Sequence, residues 1–126
     1  KPVIYALFDS SEVERVPLFT IFNPFRDKEP EKAAKGFLDK ISKGKCEDVL
    51  KNLKNYEESA KRNICLNEAK YPIMEVKLLM IEVKGINQKL TFIVKRQGYS
   101  GSAPPVTLTL RKVSDTWDII GYEAIY

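Results

Sequence analysis

The hydrophobic period of this chain changes once, at Ile73. Before that residue, apolar side chains recur every three or four positions; after it, they recur at every second position. A run of helices followed by a run of strands excludes alternating βαβ units. It predicts an α+β layout, with N-terminal helices packed on a curved antiparallel sheet.

The strongest helical stretch is PEKAAKGFLDKISKG, Pro30 to Gly44. Ala33, Ala34, Phe37, Leu38 and Ile41 form one apolar stripe, and Lys32, Lys35, Asp39 and Lys40 fall largely opposite. Asp27 or Glu29 can cap this helix, Pro30 suits its first turn, and Lys43 with Gly44 ends it. Gly36 lies inside it and costs about 1 kcal/mol against Ala, which predicts close approach of the helix to the sheet. A second helix is expected from Cys46 to about Lys54, burying Val49, Leu50 and Leu53. Residues 55–65 read as a further helical turn and 67–72 as a loop.

In the first strand Met74, Val76 and Leu78 share one face, and Leu79, Ile81 and Val83 share the other. The phase slips between Leu78 and Leu79, which marks a bulge or a strand buried on both faces. Residues 85–88 turn the chain, and Leu90, Phe92 and Val94 alternate in the next strand. After the loop of residues 97–105, Val106, Leu108 and Leu110 alternate with Thr107, Thr109 and Arg111. Ser114 and Asp115 make the last turn. Trp117, Ile119 and Gly121 then face one way, and Asp118, Ile120 and Tyr122 the other. A long bulged strand lets such a sheet curve around the first helix.

The chain of 126 residues suits one domain, taken as 27–126. Residues 1–26 are expected to be an arm packed on it, because PLFTIFNPFR at 17–26 is too apolar for a free loop. The net charge is +4, and Lys is interleaved with Glu and Asp along the chain rather than gathered into a basic stripe. That argues against a nucleic-acid partner. No apolar run is long enough to span a membrane. The chain has no His, which removes the Ser-His and Cys-His nucleophile systems. Two cysteines do not make a structural zinc site, so neither metal nor cofactor is expected. Cys46 and Cys65, one at a helix start and one ahead of the sheet, are expected to form a disulfide. Such a bond points to an oxidising compartment.

The ending VTLTLRKVSDTWDIIGYEAIY, with Val106, Leu108, Leu110, Asp115, Trp117 and Ile119, resembles the NTF2-like (cystatin-like) superfamily. EKAAKGFLDKISKGKCEDVLKNL looks like the helix pair of its small bacterial secreted or lipoprotein members. The resemblance covers residues 27–126. It implies a cone, a curved sheet wrapped on helices with a cavity at the open end. It also implies an extracytoplasmic setting: periplasmic, secreted or lipid-anchored. Members include isomerases, dehydratases, ligand binders, dimeric adaptors and subunits of secretion machines. Their enzymes use a His-Asp pair, which this chain lacks, or a Tyr with a carboxylic acid.

No residue is assigned a catalytic role. Pocket candidates are Glu123, in phase with Trp117 and Ile119, Glu82 if the slip lies beyond it, Trp117 itself, and Tyr71 in an aromatic rim with Tyr99 and Tyr122. Leu79, Ile81, Val83 and Ile120 are expected on the outer sheet face, where they would join a homodimer or a protein partner. Arg96, Arg111 and Lys112 are expected at a solvated sheet end. The favoured reading is a non-enzymatic binding or assembly domain acting through its sheet face or its cavity. The alternative is a pocket for a small apolar ligand, or an isomerase- or hydrolase-like enzyme with a buried carboxylate.

Overall fold

The computed structural model describes residues 14–15 and 27–126. Helix α1 spans Glu29–Ser42, α2 Cys46–Leu50 and α3 Glu58–Lys70. The strands are β1 Glu14–Arg15, β2 Ile73–Lys84, β3 Asn87–Arg96, β4 Val106–Val113 and β5 Thr116–Glu123. All neighbours are antiparallel, and the sheet order is that of the chain, β1-β2-β3-β4-β5. The expected α+β architecture is present, with helices on one face of a curved open sheet. Most of the expected arm over 1–26 lies outside the described residues. Glu14 and Arg15 form a strand against Val83 and Glu82.

Helix α1 follows its pattern. Pro30, Ala34, Phe37, Leu38 and Ile41 are buried, and each large side chain among them contributes about 1.5–3 kcal/mol by leaving water. The Asp27 carboxylate accepts the Glu29 amide at 3.0 Å. Gly44 ends the helix at φ 82°, a conformation that favours glycine. Helix α1 lies across the sheet and touches β2, β3, β4 and β5. Its Phe37 ring stands 5.6 Å from that of Tyr122, which is fully buried.

Helix α2 is shorter than expected, and Leu53 and Tyr56 bury themselves from the segment after it. Helix α3 replaces the expected turn and loop with 13 residues. Its inward positions are Lys61, Ile64 and Glu68. Two of these three carry charge, so the helix has no apolar stripe to read.

The register shifts in β2 fall at Met74 and at Leu79. The expected slip is therefore present, but its effect is the reverse of that assumed. The extra residue returns the strand to its original face: Val76, Leu78, Ile81 and Val83 stand opposite Val94, Phe92, Leu90 and Gln88. Ile81 is only 4% exposed, and Val83 packs against the core. Glu82 lies beyond the slip, out of phase with Val76 and Leu78.

An unforeseen bulge falls at Ile120 in β5. Ile119 pairs with Leu110, but Gly121 pairs with Thr109 and Tyr122 with Leu108. Trp117, Ile119, Tyr122 and Ala124 therefore contact the core, and Glu123, opposite Thr107, is carried to the other face. The predicted phase, with Glu123 inward and Tyr122 outward, is inverted by this one inserted residue.

Candidate functional site: a basic groove beside the last strand

A groove of about 1190 Å³ opens between α1, the segment 45–55 and β5. Ala33, Gly36, Phe37, Val49, Trp117 and Ile119 give it an apolar lining. Lys32, Lys40, Lys45, Lys51, Lys54 and Arg111 stand around it, and its carboxylates are Asp48 and Asp118. Six cations against two carboxylates leave a net +4, which equals the charge of the whole chain. The remaining residues therefore sum to zero, and the basic excess belongs to this groove. Lys40, Lys45, Lys51 and Lys54 have no ion-pair partner among the described residues.

Gly36 does not serve close packing, as its position in α1 had suggested. A Cβ built there meets nothing within 4 Å. The helix gives up about 1 kcal/mol at this position, and what it keeps is open space in the groove lining.

One wall of the groove is fixed covalently. The expected Cys46–Cys65 disulfide is formed, with Cα atoms 5.6 Å apart, and it ties the start of α2 to α3. The segment between them also reaches the sheet. The Tyr56 hydroxyl donates to the Tyr122 carbonyl at 2.7 Å and accepts the Tyr122 amide at 3.0 Å. At this point of the outermost strand, a side chain occupies the place of a neighbouring backbone.

A second constellation was missed from the sequence. Glu68, on α3, and Arg96, at the end of β3, form a buried bidentate pair with N–O distances of 2.9 and 3.0 Å. Arg96 also donates to the Tyr71 carbonyl, at 2.9 Å. The hydroxyls of Tyr122 and Tyr126 both donate to Glu68 Oε2, at 2.7 and 2.5 Å. The Arg96 guanidinium carbon stands 5.0 Å from the Tyr126 ring centre. Burial works against the Arg96 charge, but the hydrogen-bonded Glu68 carboxylate outweighs it and raises the guanidinium pKa. Burial, and then the Glu68 charge, push both phenols well above their ordinary value. This cluster locks α3 to the end of the sheet. Its Glu68 and Arg96 side chains have no contact with water and none with the groove. Arg96 is thus buried, not solvated at a sheet end; Arg111 and Lys112 are exposed as expected.

The pocket candidates do not converge. Trp117 lines the groove. Tyr71 stacks edge-on with Tyr99 at 5.3 Å beside Arg96, at the opposite end of the sheet, and Tyr122 is sealed in the core. Glu82 sits in the β1–β2–β3 ladder between Arg15 and Lys89. Of the interface candidates, Leu79 is exposed, Ile120 is half-buried in the groove lining, and Ile81 and Val83 face the core. No signal in the sequence separates the groove lysines from the others, because they converge from α1, the following turn and the segment after α2. No helix among the described residues is long and apolar enough to cross a membrane. Comparison with family models, with curated proteins and with solved structures finds no match to this chain.

Proposed function

We propose that the chain is a non-enzymatic binding domain, and that the groove between α1, residues 45–55 and β5 is where it binds. The observation that carries this is the concentration of the chain's entire charge excess around an apolar lining. Such a surface suits a ligand or partner that is both anionic and apolar. The groove carboxylates Asp48 and Asp118 are exposed, and the chain has no His. The groove thus offers charge and apolar contact rather than a placed general acid and base. The disulfide suits an oxidising, extracytoplasmic setting. A cone of the NTF2-like kind, with its binding site at the open end, is consistent with this arrangement of helices and sheet.

Trp117 is the only Trp of the chain and lies in the groove. Titration with anilinonaphthalene sulfonate, an apolar anion, is expected to change Trp117 emission saturably. The change is expected to disappear in Gly36→Leu, which fills the groove from α1. A wild-type protein that shows no saturable change, or a Gly36→Leu protein that responds equally, overturns the proposal.

A further inference from the structure

The groove follows a strand edge rather than a sheet face. Consecutive side chains of a strand point to opposite faces, yet Trp117, Asp118, Ile119 and Ile120 all line this one groove. The bulge at Ile120 accounts for Ile119 and Ile120 sharing one side, but Trp117, Asp118 and Ile119 in succession are met only from the edge of the strand, where its backbone N–H and C=O groups lie. β5 is the last strand of the sheet. Tyr56 closes its outer side at Tyr122. Ahead of that point, no backbone group of β5 has a partner on the outer side among the described residues. Among the described residues, an open row of donors and acceptors therefore runs beside Lys40, Lys45, Lys51 and Lys54, which have no ion-pair partner there.

Resting on the groove reading, we infer that the occupant is an extended acidic segment of a partner protein, laid along Thr116–Ile120 as a further strand. Strand addition takes its affinity from main-chain hydrogen bonds and its selectivity from alternate side chains. Here one set of side chains would meet Phe37, Trp117 and the space above Gly36. Carboxylates along the segment would meet Lys40, Lys45, Lys51 and Lys54. These four lysines stand apart, on α1, on the turn after it and on the segment after α2. That spacing suits charges distributed along a chain better than the single headgroup of an amphiphile.

The test is fluorescence anisotropy with a labelled peptide of alternating Glu and Val, against the same peptide with Pro at each Val position. Proline keeps the charge and removes every second amide donor of the added strand, which cannot then pair along its length. The Val peptide is expected to bind at least about tenfold more tightly, a difference of about 1.4 kcal/mol. Gly36→Leu and the pair Lys51→Glu, Lys54→Glu are each expected to weaken it by about tenfold or more. Lys77→Glu, exposed on the outer sheet face, is expected to leave it unchanged. Circular dichroism checks that each variant is folded. Equal binding of the two peptides, or no saturable binding of either, overturns the added strand. If vesicles of phosphatidylglycerol, but neither peptide, bind wild type and not Gly36→Leu, the added strand is wrong and the groove reading stands. If the peptide binds every variant equally, both are wrong.

Discussion

Replacing Glu68 by Gln keeps the shape of the side chain and removes one charge from the middle of a sealed cluster. Arg96 is then left as a buried cation with two amide hydrogens facing its own, and its side chain is 0% exposed. Breaking a buried pair on one side costs about 3–5 kcal/mol, because the remaining charge has neither partner nor water. A domain of this kind holds about 5–15 kcal/mol in total, so Glu68→Gln spends a large part of it. Arg96→Met leaves the opposite charge, a carboxylate held only by the hydroxyls of Tyr122 and Tyr126, and a similar loss is expected. The double variant leaves no charge in this cluster. Its loss is expected to fall short of the sum of the two singles by about 3 kcal/mol, the upper end of the coupling seen between touching residues. Urea unfolding measures all four proteins. With a slope of about 1–3 kcal/mol per molar, each single variant shifts the midpoint by about 2 M. A double variant whose loss equals the sum of the singles refutes the view that Glu68 and Arg96 act as one buried unit.

Tyr56→Phe removes both partners of the Tyr122 backbone in one step, and each buried group left unsatisfied costs about 1–3 kcal/mol. A loss of about 2–6 kcal/mol in urea unfolding is expected; a change under about 0.5 kcal/mol contradicts the clamp. The phenols of Tyr56, Tyr122 and Tyr126 all have pKa values raised above 10.0, chiefly by burial. In the unfolded chain they ionise from about pH 10 upward, while the folded state holds its protons. The stability tied to them is therefore complete below about pH 10, and above it falls by about 1.4 kcal/mol per pH unit for each tyrosine until the folded phenols titrate. A urea midpoint that stays constant from about pH 9 to 11 argues against these shifts.

The fold class was legible because its two signals are local. The stripe of Ala34, Phe37, Leu38 and Ile41 has one period, and Val106, Leu108 and Leu110 have the other. The cysteine pair was legible because its two members flank a helical segment in a small chain. Helix α3 was not legible, since its inward face presents Lys61 and Glu68. Arg96 was read as solvated for the same reason, because a charge looks exposed until its partner is placed opposite. The β2 slip at Leu79 was visible, but its direction was not, since Leu78 and Leu79 are equally apolar. Ile119 and Ile120 hid the β5 bulge in the same way, and with it the placement of Glu123. The groove needs three distant segments to meet, and no periodicity reports that.

The Cys46–Cys65 bond closes a covalent ring around everything between them, with a sequence separation of 19. Lys51 and Lys54 of the groove wall ride on that ring, and so does Tyr56, the residue that ends the sheet. The ring thus couples two properties that a linear segment would leave independent: how wide the groove stands, and how far along β5 the backbone is open. Cutting it by reduction frees both together while the β2–β3–β4 ladder stays paired. The redox history of the protein would then be written in its width of recognition before it is written in its fold. Faster amide exchange along β5 in reduced than in oxidised protein is the expected sign, and identical exchange in the two states would count against the coupling.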